Sequence, residues 1–188
     1  MKKLALVLML CAMSSYSVFA DTSLDVKGGV AHIDGVAGDS KIGPDFALGL
    51  NFGIDKYLEV GPEFSYAFKS YSVNNVDAKN TVLPLMMVGR LRAPMGTVMP
   101  YFSMGAGYLW NIYEQGGASW TATGFVAQGM VGVVVSLGGS TDDIWSTGAS
   151  SQLGLLVEAG YRYSLPEYNN QKISASGVVS RVGVRWNF

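Results

Sequence analysis

The last twelve residues of the chain, 177–188, alternate strictly between two faces. One face would carry Val178, Ser180, Val182, Val184, Trp186 and Phe188, and the other Val179, Arg181, Gly183, Arg185 and Asn187. A period of two predicts a β-strand, because successive side chains of a strand point in opposite directions. A mainly apolar face backed by two arginines fits a strand that separates lipid from the polar, filled lumen of a barrel.

The first twenty residues have the three parts of a secretory signal peptide. Residues 1–3 are a basic start, residues 4–13 are apolar, and residues 18–20 resemble a cleavage site. Ten apolar residues are too few to span a bilayer, which takes roughly 20. We therefore predict a signal peptide at 1–20 and one mature domain at 21–188.

Composition narrows the class of protein. The single cysteine, Cys11, lies inside the predicted signal peptide, so the mature chain would have no disulfide. Charged residues make up 14% of the chain, against about 25% in ordinary soluble domains, while hydrophobic residues reach 49%. The mature part nevertheless contains no apolar run near the length of a spanning helix. A formal net charge of −1 argues against nucleic acid as a partner.

Eight alternating segments are separated by polar, glycine-rich connectors. They lie near 24–33, 43–54, 57–69, 81–92, 99–111, 122–136, 152–164 and 176–188. Segments of this length and number predict an all-β fold, an eight-stranded antiparallel transmembrane barrel with up-and-down topology. Both termini would lie in the periplasm.

The connectors alternate in length. Short ones at 55–56 and 93–97 would be periplasmic turns, and longer polar stretches near 34–42, 70–80, 112–121 and 165–175 would be surface loops. The connector at 137–151 breaks this rule, because it is the longest and would face the periplasm. Either the sixth strand extends further or a small periplasmic excursion lies there.

The alternation also sorts the charges. Every arginine falls on the inward face, together with three glutamates, Asp25 and Lys27. The predicted lumen charge network consists of Glu59, Glu63, Arg90, Arg92, Glu158, Arg162, Arg181 and Arg185. Side chains fill a barrel of eight strands, so we interpret these residues as structural ion pairs. The alternative is a narrow ion path, or a gate that opens when the ion pairs exchange partners. Six bases against four acids would give such a path a preference for anions.

Aromatic residues are predicted at two levels along the strands. Tyr66, Phe68, Tyr108, Trp110, Tyr161 and Tyr163 would lie near the outer interface, and Tyr57, Phe102, Trp186 and Phe188 near the periplasmic one. Amphipathic rings concentrate at membrane interfaces. A soluble barrel or sandwich would instead bury these rings and expose the arginines, so the pattern favours the membrane fold.

The chain resembles the small eight-stranded outer-membrane barrels of the OmpA-barrel, OmpX and opacity-protein type. The resemblance lies in the signal peptide, in residues 100–108 (PYFSMGAGY), in residues 156–163 (LVEAGYRY) and in the terminal strand. It implies the bacterial cell outer membrane, contact with its lipid and lipopolysaccharide, and biogenesis by periplasmic chaperones and the barrel-assembly machinery. In such families that machinery reads the last strand, and the resemblance implies this role for Val182, Val184, Trp186 and Phe188.

Residues suited to catalysis or to a cofactor are scarce. His32 is the single histidine, and the following Asp34 does not reproduce the histidine-x-serine pairing of barrels that deacylate lipid A. One histidine without a mature cysteine does not suffice for a metal site. No glycine-rich stretch precedes a helix, as a phosphate loop would require. We therefore predict no enzyme, no cofactor and no metal.

The loop aromatics Tyr71, Tyr113, Trp120 and Tyr168 would be membrane anchors or contacts with a surface ligand. We predict a monomer with a side-chain-filled lumen. Its role would be structural, in envelope integrity, or surface interaction through the extracellular loops. The alternative function is transport, as a narrow pore or an OmpW-like conduit for small solutes.

Overall fold

The computed structural model describes residues 21–33, 41–73, 76–138, 152–168, 171–172 and 176–188. The predicted signal peptide and all but the first two residues of the 137–151 connector lie outside the described residues. Within the described ranges, every regular element is a β-strand. None of these residues forms a helix long and apolar enough to cross a membrane.

Eight long strands build the fold, and two short strands form a small hairpin before the last one. The long strands are β1 (Asp21–Ile33), β2 (Lys41–Gly53), β3 (Leu58–Val73), β4 (Val76–Arg92), β5 (Val98–Gln115), β6 (Ala118–Ser136), β7 (Gln152–Ser164) and β10 (Gly177–Asn187). The short ones are β8 (Glu167–Tyr168) and β9 (Gln171–Lys172). Each long strand overlaps one predicted segment.

The long strands close into a barrel in which each pairs antiparallel with its neighbours, β10 closing on β1. A path that starts at Asp21 and steps from each residue to its partner on the next strand goes once around the barrel. It passes Glu59, Met130 and Val179 and returns to β1 at Ala31. This offset of ten residues, from 21 to 31, is the shear of the barrel. With eight strands it gives a tilt of about 40° and a backbone radius of about 8 Å. The predicted fold is confirmed.

The two ends of the barrel are distinct. The end with both described termini and the turns at 54–57 and 93–97 is called the terminal end. The opposite end, where β1 connects to β2, β3 to β4, β5 to β6 and β7 to β10, is called the loop end. Asp55 fixes the first of these turns, because its carboxylate accepts hydrogen bonds from the backbone N–H groups of Tyr57 at 2.6 Å and Leu58 at 2.8 Å.

Strands β3 to β6 continue past the barrel wall at the loop end. β2 pairs with β3 as far as Ala67, and β7 pairs with β6 as far as Val126. β3 and β4 nevertheless stay paired up to the residues that flank 74–75, and β5 and β6 up to those that flank Gly116 and Gly117. The sheet extension is defined as residues 68–73, 76–81, 112–115 and 118–123.

The prediction of surface loops near 70–80 and 112–121 is therefore wrong for most of these residues, which are paired strands. Gly116 and Gly117 have φ values of +57° and +85°. Two successive positive φ angles are what a two-residue hairpin turn of type I′ requires, and glycine adopts them without a Cβ clash. Polar composition does not separate a loop from a strand that is solvated on its outer face.

Inward glycines let backbone and side chains approach closely. A Cβ atom on Gly61 would lie 1.8 Å from the carbonyl oxygen of Leu50, and one on Gly132 would lie 2.5 Å from the hydroxyl oxygen of Tyr101. The first contact reflects the tight coiling of a narrow barrel, and the second leaves space for an aromatic ring in the lumen.

Candidate functional site

The inward face of the long strands is the candidate site, because it holds most of the buried charge. The eight residues of the predicted network, together with Asp25 and Lys27, are each at most 4% exposed. Alternation directs these side chains inward, and barrel closure brings strands distant in sequence into contact. The charges form two groups, a terminal cluster nearer the terminal end and a central cluster beyond it.

The terminal cluster consists of Asp25, Glu59, Arg90, Arg92 and Arg185. Glu59 Oε2 lies 3.3 Å from Arg90 Nη1, and its Oε1 pairs with Arg92 Nη1 and Arg185 Nη2. Asp25 accepts from Arg90 Nη2 at 2.8 Å and lies 3.9 Å from Arg185 Nε. Sharing each carboxylate among several guanidinium groups offsets part of the desolvation cost, although Asp25 Oδ1, Arg90 Nε and Arg185 Nη1 have no hydrogen-bond partner among the described residues.

The terminal cluster also holds the backbone at its end of the barrel. Arg92 Nη2 and Nε donate to the carbonyl oxygens of Asp55 at 2.9 Å and Lys56 at 3.1 Å. Arg185 Nη2 donates to Ser23 Oγ at 2.5 Å. The turn between β2 and β3 is therefore tied to the lumen.

The central cluster consists of Lys27, Asp45, Glu63, Glu158, Arg162 and Arg181. Arg181 Nη1 lies 2.9 Å from Glu63 Oε1 and 3.2 Å from Glu158 Oε1. Its Nε pairs with Asp45. Lys27 Nζ bridges Glu63 at 2.5 Å and Glu158 at 2.9 Å. The cluster thus balances three cations against three carboxylates.

Asp45 is the carboxylate of this cluster that the sequence-based network omits. It is fully buried on β2, where it pairs with Arg181 and lies 3.3 Å from Arg162 Nη2. Alternation along β2 is the signal that could have identified it, because Asp45 shares its face with Gly49 and Asn51. Lys69, buried farther along β3, is a second inward charge outside the predicted set, so the described residues hold seven inward bases against five acids and the excess of two bases is unchanged.

Neutral side chains complete the central cluster. Arg162 Nη2 donates to Ser65 Oγ at 3.1 Å and to Gln128 Oε1 at 3.3 Å. Gln128 Nε2 in turn donates to Glu63 Oε1 at 3.2 Å. The buried charges are therefore embedded in a hydrogen-bond network and not only in pairwise contacts.

Tyr101 joins the two clusters. Its hydroxyl donates to Glu158 Oε2 at 2.7 Å, and the guanidinium of Arg90 lies 4.4 Å from the centroid of its ring. A cation over an aromatic face is attracted by the ring quadrupole. The ring occupies the space beside Gly132.

An apolar layer lies on the loop-end side of the central cluster. It is formed by the buried side chains of Ala31, Ala67, Val82, Leu109, Val126 and Val179. Ala67 is the next inward residue after Ser65, and Val126 the next after Gln128. Ala67, Leu109 and Val126 are each 0% exposed. The layer therefore lies between the two charge clusters and the loop end, with Ser164 as a buried polar residue opposite Val126 and Lys69 buried beyond Ala67.

The outer face of the barrel carries the exposed apolar side chains. Aromatic neighbours lie on it near the loop end, with ring centroids 5.4 Å apart for Tyr66 and Phe68 and 5.0 Å apart for Tyr108 and Trp110. The four residues of the implied assembly signal, Val182, Val184, Trp186 and Phe188, are on this outer face and 43–61% exposed. An apolar exterior around a polar, filled interior is the arrangement that a lipid bilayer stabilises.

The predicted loop aromatics lie mainly on the inward face of the sheet extension. Tyr113 is 1% exposed and stacks on Trp120 with ring centroids 5.7 Å apart, so the prediction of an exposed loop residue is wrong for Tyr113. Asn111 Nδ2 donates to its hydroxyl at 2.7 Å. Burial raises the pKa of Tyr113 to about 12, so the hydroxyl stays protonated at neutral pH. Tyr71 is half-buried, and the side chain of Tyr168 lies outside the described residues.

Of the residues considered for catalysis, the structure describes His32, which does not face the lumen. His32 lies on the outward side of β1, and Asp34 lies outside the described residues. In the part of the chain that the structure describes, no group of three or more His, Cys, Asp or Glu side chains could hold a metal ion. The contacts described in the lumen are ion pairs and hydrogen bonds.

Three solved structures share this fold. Neisserial surface protein A has a TM-score of 0.63 and 16% identity, over 89% of this chain and 97% of its own. Ail of Yersinia pestis has a TM-score of 0.56 and 12% identity, over 89% of this chain and 98% of its own. The N-terminal β-barrel domain of OprF from Pseudomonas aeruginosa has a TM-score of 0.52 and 11% identity, over 90% and 98%.

Among curated protein sequences, no significant match to the chain was found. A family profile described as "Outer membrane protein beta-barrel domain" matches residues 4–188. Together with the closed eight-stranded barrel, this match gives the protein a bacterial outer-membrane location. The chain belongs to the outer membrane protein beta-barrel domain family.

Proposed function

We propose that this protein is a sealed, non-conducting barrel that acts without catalysis, in envelope integrity or in surface interaction at its loop end. The observation that carries the proposal is the apolar layer over the central cluster, with Leu109 and Val126 0% exposed. Ions would have to cross this mainly apolar layer, where the hydroxyl of Ser164, opposite Val126, is too small a polar contribution to replace their hydration, and such a crossing is costly in free energy. The apolar layer therefore favours a lumen with a structural role over a narrow pore or a conduit for small solutes.

The lumen charges would then act as internal cross-links between strands. Arg181 of β10 contacts β2, β3 and β7, and Arg90 of β4 contacts β1 and β3. Such contacts across the barrel resist deformation of its cross-section. Removing one partner leaves an uncompensated buried charge, which destabilises the fold by about 3–5 kcal/mol.

Planar-bilayer recording tests the sealed lumen. We expect no discrete openings from the wild-type protein, whereas Leu109→Ala with Val126→Ala should admit ions by thinning the apolar layer. Stable unitary openings of the wild type that vanish when Arg181 and Arg185 are replaced would contradict the proposal and support the narrow pore.

We also propose that the terminal end faces the periplasm, that the loop end is extracellular, and that residues 1–20 are removed as a signal peptide. Because Cys11 is the only cysteine, single introduced cysteines report the orientation cleanly. Ser119→Cys on the sheet extension should react with a membrane-impermeant maleimide on intact cells. Thr97→Cys in the terminal-end turn should react only after lysis. The reverse pattern would overturn the orientation, and mass spectrometry of the mature N-terminus tests cleavage.

The outer-face residues Val182, Val184, Trp186 and Phe188 are proposed as the segment read by the barrel-assembly machinery, after delivery by periplasmic chaperones. Their exposure supports this role, because a recognition segment must present its side chains outside the closing barrel. Outer-membrane lipid and lipopolysaccharide would surround the assembled monomer. Chemical crosslinking in membranes tests the monomer.

Surface interaction is proposed to occur through the sheet extension and the loop end. One of the similar structures is Ail in complex with the heparin analogue sucrose octasulfate. The exposed face of the extension in the present chain carries one cation beside two carboxylates, with Lys79 next to Asp77 along β4 and opposite Glu114 on β5. This face suits a neutral polar ligand better than a sulfated one.

A deletion strain tests the cellular role. Loss of envelope integrity should raise sensitivity to bile salts and detergent, and Arg181→Met should reproduce the defect by lowering barrel stability. Wild-type resistance of the deletion strain, together with unchanged surface binding, would contradict the proposed role.

A further inference from the structure

Two of the hydrogen-bonded ladders that close the barrel are interrupted, and both involve β3. The ladder between β2 and β3 breaks at Gly61 and Pro62 of β3 and resumes on either side. The ladder between β3 and β4 breaks in the same way at Ser65 and Tyr66. Over the residues that the structure describes, the six other ladders between neighbouring long strands run without a break.

Proline accounts for both breaks. Pro62 lies at the first, and the register of β3 with β4 places Pro84 opposite Ser65 at the second. Because proline lacks a backbone N–H, the carbonyl group of the residue opposite has no ladder donor there. A Cβ atom on Gly61 would lie 1.8 Å from the carbonyl oxygen of Leu50, so β2 and β3 stay in contact across the first break. The wall is therefore closed at these positions, but with fewer hydrogen bonds.

The two breaks delimit a short part of β3, residues 61–66, termed the wall segment. Gly61 and Pro62 pair only with β4, whereas Ser65 and Tyr66 pair only with β2. Each end of the segment is thus hydrogen-bonded to one neighbouring strand, while a strand inside a closed sheet is normally bonded to two. A smaller number of ladder hydrogen bonds lowers the free energy that local opening requires.

Side chains of the wall segment bind strands on other sides of the lumen instead. Glu63 pairs with Lys27 Nζ of β1 at 2.5 Å and with Arg181 Nη1 of β10 at 2.9 Å. Ser65 Oγ accepts a hydrogen bond from Arg162 Nη2 of β7 at 3.1 Å. None of these three strands pairs with β3 among the described residues. Contacts across the lumen therefore hold the segment from the inside.

We propose that the wall segment is a part of the barrel that opens locally, and that Glu63 latches it shut from inside the lumen. On its outer side, Phe64 is 44% exposed and faces lipid, which supplies no hydrogen-bond partner. When Glu63 loses its ion pairs, the segment should separate from β2 and β4 before the other strands loosen. The latch thereby converts a change of charge in the lumen into a local change of the wall. This inference depends neither on a sealed lumen nor on the orientation of the barrel.

Glu158 of β7 offers a matched comparison for Glu63. It lies 2.9 Å from Lys27 Nζ and 3.2 Å from Arg181 Nη1, so both carboxylates share the same two cations. The ladders on both sides of β7 are continuous at residues 157–160. Replacing either glutamate by glutamine therefore removes one negative charge from the same cluster. The two variants differ in whether the strand that carries the change has intact ladders.

Hydrogen–deuterium exchange followed by NMR, on the full mature protein refolded in detergent micelles, tests the latch. In the wild type, amide protection factors should be about tenfold lower at 63–66 than at 157–160. Glu63→Gln should lower the protection of 63–66 by about tenfold more relative to 157–160, whereas Glu158→Gln should leave this ratio within about twofold of the wild type. Pro62→Ala with Pro84→Ala supplies the missing N–H groups and should raise the protection of the wall segment.

The same experiment has outcomes that overturn the proposal. Equal protection of the two stretches in the wild type does so, and so does Glu158→Gln if it loosens β7 as much as Glu63→Gln loosens the wall segment. Unchanged protection in the double proline variant overturns the role of the ladder breaks. Heat-modifiable gel migration verifies the folding of each variant. Ser65→Ala, which removes the contact with Arg162, replaces Glu63→Gln should that variant not fold, and the same selective loss of protection is expected from it.

Discussion

Replacement of Arg181 by methionine tests the energetics of the lumen most directly. Arg181 is 2% exposed and contacts Asp45, Glu63 and Glu158. Methionine keeps much of the side-chain volume, so the dominant change is the loss of ion pairs and not a cavity. The variant leaves two cations facing three carboxylates in the central cluster.

The expected cost follows from what the three carboxylates retain. Glu63 and Glu158 keep Lys27 at 2.5 and 2.9 Å, whereas Asp45 keeps Arg162 at the longer distance of 3.3 Å. Removing one partner of a buried ion pair costs about 3–5 kcal/mol, and the retained Lys27 contacts place this case near 3 kcal/mol. Asp45→Asn alone should cost about 1–2 kcal/mol, because it leaves a neutral hydrogen-bonding group. The double variant restores charge balance and should be about 1–2 kcal/mol more stable than the sum of the single effects predicts.

Urea unfolding of the refolded barrel in detergent micelles, followed by tryptophan fluorescence and heat-modifiable migration, measures these free energies. Lys79→Met is the matched control, since it removes a cation from the solvated sheet extension and should change stability by less than about 0.5 kcal/mol. Additivity of Arg181→Met and Asp45→Asn within about 0.5 kcal/mol would refute the coupling through the central cluster. A cost for Arg181→Met as small as that of the control would refute the burial argument itself.

Three further changes have distinct expected outcomes. Gly132→Ala should destabilise the barrel by about 1–3 kcal/mol, because the added Cβ would lie 2.5 Å from Tyr101. Gly129→Ala is the control and should not change stability, because its Cβ would meet nothing within 4 Å. Equal urea midpoints of the two variants would contradict this prediction. Phe188→Ala should lower the yield of assembled barrel in cells severalfold. It should hardly change the free energy of unfolding in vitro, because the ring is 54% exposed. An unchanged yield of the variant on heat-modifiable gels would argue against the assembly role. Gly117 has a φ of +85°, so Gly117→Ala should add about 1–2 kcal/mol of backbone strain to its hairpin. The strain should speed the exchange of the hairpin's amide hydrogens, and an exchange rate equal to that of the wild type would contradict the prediction.

The number of strands and the face of each side chain could be predicted from alternation, but the strand ends could not. The predicted seventh segment, 152–164, coincides with β7. By contrast, the polar composition of 70–80 and 112–121 predicts loops, although these residues are mostly paired strands of the sheet extension. The pair Gly116-Gly117 between two alternating runs is the sequence signal for that hairpin. Above the membrane both faces of a strand can be polar, so the apolar side of the pattern disappears.

The members of the lumen site could be predicted in part. Alternation of side chains along a strand is enough to direct Arg162 and Arg181 inward. The same rule places Asp45 on the inward face of β2, although the predicted network does not include it. The contacts themselves could not be predicted, because Asp45 meets residues 117 and 136 positions away in the chain. The apolar layer cannot be predicted from the sequence either, because Ala67 and Leu109 come from strands that are not neighbours in the sheet.

Alternation along each strand sets which side of the wall a side chain occupies, because the period of a strand is a local property of the backbone. It thereby determined an apolar exterior, an inward set of charges and the membrane as the environment. Closure of the barrel, in contrast, establishes which charges pair and brings Ala67, Leu109 and Val126 together above them. Those contacts depend on closure with an offset of ten residues, from Asp21 to Ala31, which no single strand specifies. The shear of the closed barrel sets the height at which each strand delivers its side chains, and hence which of them meet.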